Sequence, residues 1–365
     1  MSKVLFLVNH DVVIYNFRLE IVEALLKRGD EVVISSPYGE RIDDLIKLGC
    51  EYHEIDIARH GMNPLKELKL IKAYKKLLDE VKPTIVFSYT IKPNIYGAIA
   101  CRSRSIPIVC NITGLGTAVE NGGLCQKIAL GLYRYAFTNI QRVYFQNEEN
   151  EKFFANHKLA QGKHAMLPGS GVNLERFPAM PYPSGEITRF VFIARIMKEK
   201  GIDYYLEAAR YIKGKYPNTE FHVCGFVEKE YEGKLGEYTK TGIIINHGMV
   251  RDIKEIHRVM NCTVFPSYYP EGLSNVLLEA AACARPIITT DRSGCKEAVD
   301  NKKSGYLIPV RHQQALNEAI ETFLGRTRDE QAKMGIYGRE KVEKEFNRQI
   351  VVNKYISEVA SVEQK

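Results

Sequence analysis

Residues 262–291 read CTVFPSYYPEGLSNVLLEAAACARPIITTD and contain the folding unit from which the chain is built. An apolar run ends at Phe265, a loop follows, and a helical pattern begins near Ser274 or Asn275, either of which can cap a helix. A second apolar run begins at Ile287. The order strand, helix, strand predicts a right-handed parallel βαβ unit with helices on both faces of the sheet.

The same alternation extends through the whole chain. Further apolar runs in the first half are VLFLV, EVVISS, TIVFSYT, PIVCNIT and VYFQN, and those in the second half are RFVFIAR, EFHVCGF, IIINHG, CTVFPSY and PIITTD. A chain of 365 residues is too long for one ordinary core and fits two domains of roughly 150 to 200 residues. We therefore predict an α/β protein with two doubly wound Rossmann-like domains facing across a cleft.

Three prolines within FPAMPYPSGE interrupt this alternation, because proline neither donates to a ladder nor continues a helix. The sequence predicts an N-terminal domain over 1–177, a linker over 178–186 and a C-terminal domain over 187–345. Apolar residues at helical spacing predict a final helix over 346–365. We expect that helix to pack back on the N-terminal domain.

Composition excludes several classes of protein. Hydrophobic residues make up 45% and charged residues 26% of the chain, as in folded soluble proteins. VLFLV is too short for a signal peptide, and no apolar run approaches the roughly 20 residues that span a bilayer, so we expect a cytoplasmic location. The eight cysteines lack zinc-like spacing, which argues against both a disulfide framework and a metal site.

The net charge of +7 is unevenly distributed. The segment from Arg59 to Arg104 contains ten Lys or Arg residues and only three acidic residues. Within this basic band, residues 63–83 form an amphipathic helical pattern. The pattern fits a solvated lysine face. It also fits contact with anionic lipid headgroups, which suits an enzyme with a membrane-embedded acceptor. The band lacks interleaved aromatic residues, so we expect no nucleic-acid partner.

Residues 271–279 carry the first candidate site. Gly272 precedes the predicted helix, whose bare N–H groups and dipole favour an anion such as a phosphate. Glu271 and Glu279 lie on either side of the helix start, and eight helical residues rise roughly 12 Å, the scale of a nucleotide sugar. One carboxylate could accept hydroxyls of the sugar and the other those of the ribose. The alternative is a loop residue and a surface residue.

FIARIMKEKG, residues 192–201, carries the second candidate site. Arg195 follows the first strand of the second half, and Lys200 lies five residues later, before Gly201. Two cations at a strand end could neutralise a diphosphate leaving group. The alternative is an exposed basic loop.

The motifs ARIMKEKG, PSYYPEGLSNVLLEA, PIITTDRSGCKEAV and SGYLIPV resemble the retaining glycosyltransferases of family 4, which have the two-domain GT-B fold. In the first half, IYNFR (14–18), SYTIKPNIYG (88–97) and NITGLG (111–116) look like the branch that builds bacterial capsule, exopolysaccharide or lipopolysaccharide repeat units. The resemblance implies a UDP-sugar donor that carries an N-acetylhexosamine, galactose or a uronic acid, with an N-acetylhexosamine preferred. It also implies a polyprenyl-diphosphate-linked saccharide acceptor. It implies no metal or other cofactor and a place on the inner face of the plasma membrane.

The resemblance also implies roles for individual residues. Arg195 and Lys200 are expected on the diphosphate, Glu279 on the ribose and Glu271 on the transferred sugar. The uracil is expected near NHGMV, chiefly on backbone atoms. The expected catalytic residues are Arg195, Lys200 and Glu271, and the expected donor-binding residues are Arg195, Lys200, Met249, Val250, Glu271, Gly272, Leu273, Ser274, Asn275 and Glu279.

The acceptor side is expected on the N-terminal domain. The candidates are His10, Asn16 and Arg18 after the first strand and Thr113, Gly114 and Gly116 after a later one. Glycines in TGLGT allow close approach to a ligand, although the segment also fits a tight turn.

The chain departs from the family pattern in three places. The segment NHDVVIYNFR lacks the family's glycines, SYT (88–90) replaces an active-site His, and Ala284 replaces a Gly, a change expected to alter only packing. No acceptor-side base is named, because the leaving phosphate oxygen can take the acceptor proton.

Two other functions fit the same motifs. A UDP-sugar 2-epimerase shares this architecture but needs converging acid and base side chains, and a non-catalytic subunit could bind a nucleotide sugar. A NAD-linked oxidoreductase is disfavoured, because VLFLVNHDVVIYNF lacks the glycine fingerprint.

Overall fold

Two parallel sheets form the framework of the protein in a computed structural model that describes residues 1–57, 63–116, 119 and 122–364. The strands of the first sheet are β1 Lys3–Leu7, β2 Glu31–Ser36, β3 Glu51–Glu54, β4 Ile85–Tyr89, β5 Ile108–Ile112, β6 Arg142–Phe145 and β7 His164–Met166. Those of the second sheet are β8 Thr188–Ile193, β9 Thr219–Cys224, β10 Ile245–Asn246, β11 Cys262–Phe265, β12 Ile287–Thr290 and β13 Gly305–Ile308.

Helices connect successive strands. Those around the first sheet are Val12–Phe17, Leu19–Arg28, Ile42–Lys47, Pro64–Val81, Ala98–Arg102, Gly123–Ala136, Glu148–Asn156 and Arg348–Glu363. Those around the second sheet are Ile202–Lys215, Glu232–Lys240, Ile253–Val259, Asn275–Ala282, Gln313–Leu324 and Arg328–Glu345. Shorter helical turns are Pro93–Gly97, Phe137–Asn139, Lys198–Lys200, Lys229–Tyr231 and Lys296–Ala298. No helix in the described part of the chain is both long and apolar enough to cross a membrane.

The strand orders are β3-β2-β1-β4-β5-β6-β7 and β10-β9-β8-β11-β12-β13, and every described pair is parallel. This confirms the predicted pair of doubly wound sheets. The sequence patterns did not predict β3, β7 and β13, and all three lie at sheet edges. β3 reads EYHE and β7 has three residues, so neither presents the apolar run of a strand buried on both faces.

In each sheet the chain reverses its direction of travel between two central neighbours, β1 and β4 in the first sheet and β8 and β11 in the second. Helices leave these two strands toward opposite faces, so a crevice opens at their carboxyl ends. In open α/β sheets this switch point is where ligands bind. The segments after β8 and β11 contain both candidate sites of the second half, ARIMKEKG and PSYYPEGLSNV.

The chain divides into a first unit, Met1–Ser170 with Arg348–Lys365, and a second unit, Gly171–Asn347. The division therefore lies at 170/171, whereas the prolines placed a linker over 178–186. Burial explains the difference, because Met180 lies in the core of the second unit. The buried Arg285 guanidinium also donates to the carbonyls of Met180 (3.4 Å) and Pro181 (2.8 Å).

The helix Arg348–Glu363 belongs to the first unit. Val351 and Tyr355 lie in its core, and Arg348 donates to the Glu20 carboxylate at 2.6 Å. The buried Glu358 carboxylate accepts from the Tyr144 hydroxyl at 2.9 Å.

Ala284 follows the helix Asn275–Ala282 with a φ of +55°. Its N–H bonds to Ala281 O, and the next N–H, of Arg285, bonds to Ala280 O, as in a Schellman motif. An L side chain in this left-handed conformation carries a backbone cost that glycine avoids. The departure from the family glycine at this position therefore affects the backbone as well as the packing.

Candidate active site

Lys200 and Glu271 form an ion pair at the switch point of the second sheet. Lys200 comes from the segment after β8 and Glu271 from the segment after β11. Their side chains are only 15% and 16% exposed, and the Lys200 ammonium also lies 4.6 Å from the centre of the Tyr269 ring. Partial burial weakens screening by water, so this cation and carboxylate interact more strongly with each other and with a ligand than surface charges do.

Gly201 allows these two segments to meet. It has a φ of +83°, and a Cβ atom at this position would lie 2.1 Å from the Pro266 carbonyl oxygen. Any other residue would push the segment after β8 away from the segment after β11. The Tyr268 N–H donates to the Glu199 carbonyl at 2.9 Å, which ties the same two segments together.

Arg195 lies at the same edge of the sheet but is half exposed. One guanidinium nitrogen is 3.5 Å from a Glu228 carboxylate oxygen, a loose contact that a bound anion could replace. Gly225 packs directly against this segment, because a Cβ atom added at Gly225 would lie 1.7 Å from the Ala194 carbonyl oxygen. The loops after β8 and β9 are therefore in direct contact beside Arg195.

The helix over the candidate phosphate site begins at Asn275, with Ser274 as its N-cap. The Ser274 side chain makes no capping hydrogen bond, and its N–H donates to the Gly294 carbonyl at 2.8 Å. The Asn275 Oδ1 atom is buried and has no hydrogen-bond partner. A helix start without a side-chain cap suits a bound anion, which would accept from N–H groups of the first turn.

Glu271 precedes the helix in a loop, and Glu279 is the fifth residue of the helix and partly buried. The expected rise of roughly 12 Å treated the whole interval as helical. Only the part from Asn275 to Glu279 is helical, which gives about 6 Å. The rest of the separation depends on the loop, whose path only the tertiary structure sets.

Gly294 supports Glu271 from behind, and the sequence patterns did not identify it. It follows β12 with a φ of +89°, and a Cβ atom there would lie 2.5 Å from the Glu271 Cβ atom. The Glu297 carboxylate accepts from the Gly294 N–H at 2.7 Å and from the Ser293 hydroxyl at 3.0 Å. The sequence signal for this residue was a glycine shortly after an apolar run, within the motif PIITTDRSGCKEAV.

The loop after β10 contains the residues expected to face the uracil. The Gly225 N–H donates to the Gly248 carbonyl at 2.8 Å, so this loop also reaches the carboxyl edge of the sheet. Met249 is exposed and Val250 is partly buried.

Two histidines stiffen the same loop. His222 Nδ1 lies 2.9 Å from His247 Nε2, and the two rings stack. Burial, and next the charge of a protonated His247, lower the pKa of His222 to about 4. The His222 ring is therefore expected to be neutral at physiological pH, and it shares one hydrogen bond with the His247 ring.

The acceptor-side candidates lie in the first unit, and they differ in how far their side chains are exposed to solvent. His10 pairs with the buried Asp11 carboxylate, which also accepts from the Arg41 N–H at 2.8 Å. His10 keeps an exposed part, and Asn16 is exposed. These two side chains can reach a ligand in solvent.

Arg18 differs from the expectation, because its side chain is buried in the core of the first unit. Its guanidinium lies 5.1 Å from the centre of the Tyr89 ring. The Tyr89 hydroxyl donates to the Tyr355 hydroxyl at 2.8 Å, and the Tyr355 hydroxyl donates to Asn111 Oδ1 at 2.5 Å. Arg18 thus braces the switch point of the first sheet from inside, where an acceptor does not reach it directly.

Thr113, Gly114 and Gly116 follow β5 and are partly buried. Gly116 has a φ of +73° and packs against the Ile91 side chain, which a Cβ atom would approach to 2.9 Å. Thr90, directly after β4, has a φ of +69° and a buried hydroxyl without a hydrogen-bond partner. Such a conformation is unusual for a β-branched residue, and strain of this kind clusters at functional sites.

Within the residues that the structure describes, no group of three or more His, Cys, Asp or Glu side chains could hold a metal ion.

Two family models match the chain. The model for glycosyl transferases group 1 matches residues 183–341, and the model for glycosyl transferase 4-like proteins matches residues 3–147. Each match covers most of one sheet with its helices.

Two relatives and one solved structure are similar over most of the chain. N,N'-diacetylbacillosaminyl-diphospho-undecaprenol alpha-1,3-N-acetylgalactosaminyltransferase of Campylobacter jejuni is 28% identical over 85% of this chain and 86% of its own. The capsular polysaccharide biosynthesis glycosyltransferase CapM of Staphylococcus aureus is 27% identical over 90% of each chain. The crystal structure of Anabaena HepE in complex with UDP superposes with a TM-score of 0.80 at 17% identity, covering 98% of this chain and 99% of HepE.

Proposed function

Because this chain belongs to the family 4 glycosyltransferases with the GT-B fold, we propose that it transfers a sugar from UDP to a polyprenyl-diphosphate-linked saccharide in bacterial surface polysaccharide synthesis. One observation carries the proposal. The ion pair between Lys200 and Glu271 lies at the switch point of the second sheet, beside an uncapped helix start. A cation, a carboxylate and a helix start without a side-chain cap together match the phosphates and hydroxyls of a nucleotide sugar.

The donor is proposed to bind to the second unit. Lys200 and Arg195 contact the diphosphate, and the backbone around Gly272, Leu273 and Ser274 faces the phosphate and the sugar. The Ser274 N–H itself stays on the Gly294 carbonyl. Glu271 accepts hydroxyls of the transferred sugar, and Glu279 accepts those of the ribose. The uracil is held by the loop of Met249 and Val250, and no metal takes part.

The comparisons support the identity of both substrates. HepE was crystallised with UDP, which supports UDP as the nucleotide. The name of the Campylobacter relative specifies an N-acetylhexosamine and a diphospho-undecaprenol acceptor, which supports an N-acetylhexosamine as the transferred sugar here.

The reaction is proposed to retain the anomeric configuration. The bond between the anomeric carbon and the phosphate oxygen breaks, and a bond to the acceptor oxygen forms on the same face. The acceptor proton passes to the departing phosphate oxygen, so no side-chain base is required. Lys200 and Arg195 stabilise the negative charge that develops on the diphosphate, where fixed cations act most strongly on the barrier.

The acceptor is proposed to bind to the first unit. His10, Asn16, Thr113, Gly114 and Gly116 are its contact candidates, and Arg18 supports them from the core. An acceptor with a polyprenyl chain is embedded in a bilayer, so the enzyme is proposed to work at the inner face of the plasma membrane.

A direct assay tests the proposal. Purified protein is incubated with UDP-N-acetylhexosamines and a short-chain polyprenyl-diphosphate saccharide, and the product is followed by mass spectrometry and by the anomeric coupling in NMR spectra. We expect acceptor-dependent transfer with retention, and a Lys200→Ala control without it. A new nucleotide sugar formed with donor alone would identify an epimerase. Tight UDP-sugar binding without transfer to any lipid-linked acceptor would indicate a non-catalytic subunit.

A further inference from the structure

Two helices of the first unit lie on the same face of the first sheet. The helices Pro64–Val81 and Gly123–Ala136 bury side chains such as Tyr74 and Tyr133 in one core cluster. Both also contact the helix Ala98–Arg102, which therefore lies between them. The two helices therefore belong to one helical layer, on either side of the helix Ala98–Arg102.

The amino-terminal turns of both helices lie at the carboxyl edge of the sheet. Each helix joins two parallel strands, Pro64–Val81 joining β3 to β4 and Gly123–Ala136 joining β5 to β6, so each runs opposite to the strands. The first of them starts sharply, because Asn63 Oδ1 accepts from the Leu65 N–H at 3.0 Å. This is also the edge at which His10 follows β1.

These amino-terminal turns expose large apolar side chains. Leu65 and Leu68 are 72% and 57% exposed on the first helix, and Leu124 and Ile128 are 73% and 43% exposed on the second. Spacings of three and four residues place each pair on one face of its helix. Four large exposed aliphatic side chains at one edge of a helical layer indicate an interaction surface, whereas single exposed apolar residues do not.

The charge around these pairs is positive. Lys66, Lys69 and Lys127 are exposed beside them. Glu67 is the one acidic residue among 63–69 and 123–128, and it is buried, with its carboxylate 2.7 Å from the Lys92 ammonium. The acid is thereby neutralised and withdrawn from the surface.

We propose that these two amino-terminal turns, residues 63–69 and 123–128, dock the enzyme on an anionic phospholipid bilayer. The aliphatic side chains enter the interface, and the lysines contact headgroup phosphates. The proposal rests on the proposed function, because docking at this edge would bring the acceptor-side loops close to a lipid-linked saccharide.

Vesicle sedimentation tests the surface. The full chain is mixed with vesicles of phosphatidylglycerol and phosphatidylcholine, or of phosphatidylcholine alone, at low and physiological salt. We expect binding to the anionic vesicles that weakens with salt. The double variants Leu65→Gln/Leu68→Gln and Leu124→Gln/Ile128→Gln should each lower the partition coefficient by at least roughly tenfold, because two aliphatic side chains no longer enter the interface.

Ile336→Gln is the matched control, because Ile336 is 53% exposed on a helix of the second unit. It should sediment like wild type, and all variants should keep the wild-type melting temperature. Unchanged binding of a combined variant of Leu65, Leu68, Leu124 and Ile128, or equal binding to neutral vesicles, would overturn the proposal. A wild type that is dimeric in solution, together with a combined variant that is monomeric, would also overturn it. A second copy of the chain, and not a bilayer, would then cover this surface.

Activity separates this inference from the proposed function. The docking variants should transfer sugar normally to an acceptor dispersed in detergent and several-fold more slowly to the same acceptor in anionic vesicles. If wild type binds the vesicles but transfers no sugar to the acceptor, either in detergent or in vesicles, the result would count against the proposed function alone. Equal rates of variants and wild type on vesicles would count against docking at this surface.

Discussion

Gly294 approaches Glu271 so closely that a Cβ atom on Gly294 would lie 2.5 Å from the Cβ atom of Glu271. The loop after β12 therefore supports the loop after β11 at the point where the carboxylate is oriented. The Gly294 backbone, with its φ of +89° and its N–H bonded to Glu297, has little freedom to yield. A side chain at this position must displace either the glycine or Glu271.

The variant Gly294→Ala tests this support. We expect a loss of stability of about 1–3 kcal/mol from strain and a lower kcat/KM from the displaced Glu271. Gly236→Ala is the matched control. Gly236 lies inside the helix Glu232–Lys240 with no atom within 4 Å of the added Cβ, so its substitution should stabilise by up to about 1 kcal/mol. Equal stability and equal kcat/KM of the two variants would show that the contact between Gly294 and Glu271 affects neither folding nor activity.

Lys200→Ala and Arg195→Ala test the proposed stabilisation of the diphosphate. Each should lower kcat by at least about 100-fold, because a positioned charge that faces the leaving group is lost. Lys198→Ala is the control, since Lys198 is an exposed cation two residues from Lys200. Steady-state kinetics with saturating acceptor measure the effect. Near wild-type turnover of the first two purified variants would reject the mechanism.

Glu271→Gln and Glu279→Gln should separate the two carboxylates. If Glu279 binds the ribose, its variant should weaken UDP itself by roughly tenfold, the value of a charged hydrogen bond. If Glu271 binds the transferred sugar, its variant should bind UDP normally and lose turnover instead. Calorimetric titration with UDP, followed by kinetics, distinguishes them. The reverse pattern would exchange the two roles.

Tyr355→Phe tests the buried hydroxyl chain behind the first switch point. The change leaves Asn111 Oδ1 and the Tyr89 hydroxyl without their partner in the core, which should cost about 1–3 kcal/mol of unfolding free energy. Tyr135→Phe, at an exposed position, should cost much less. Urea denaturation of both variants gives the comparison. A difference near zero would mean that these hydroxyls find other partners.

His257 predicts a specific acid sensitivity. Its ring is buried, neither nitrogen has a hydrogen-bond partner, and burial, followed by the Arg285 charge, lowers its pKa to about 3. The unfolded chain, with a pKa near 6.5, then binds more protons than the folded chain. Stability is therefore complete above pH 6.5 and falls as the pH drops toward 3, by up to about 1.4 kcal/mol per pH unit.

Urea denaturation of His257→Leu between pH 8 and pH 4 measures this contribution. The variant should lose less stability on acidification than wild type. Above pH 7 the free energy of unfolding should change with pH equally in both proteins, because the His257 ring is then neutral in the folded and in the unfolded chain. Parallel slopes across the whole range would assign the acid sensitivity to other groups.

The central strands were predictable because they are buried on both faces and carry uninterrupted apolar runs. The edge strands β3 and β7 were not, since neither carries the apolar run of a strand buried on both faces. Prolines marked the boundary between the halves only approximately. Segment 178–186 is held to the second unit by Arg285, and an arginine that donates to carbonyls a hundred residues away leaves no local signal.

At the candidate site, residue type and distance from a strand end were enough to select Lys200, Arg195, Glu271 and Glu279. Which of these groups touch was not predictable. The Lys200–Glu271 contact depends on the adjacency of β8 and β11, and Gly201 and Gly294 make the close approach possible. Arg18 shows the converse case, since its position after β1 suggested contact with an acceptor and the fold buries it beneath Tyr89.

The sequence by itself determined the two parallel sheets, the family motifs and the chemical groups at the strand ends, because apolar periodicity and spacing after a strand are local properties of the chain. Only the tertiary structure decided which charges pair, which cations face solvent and which apolar side chains remain uncovered. Those outcomes depend on the order of strands in a sheet and on close approaches between loops distant in sequence.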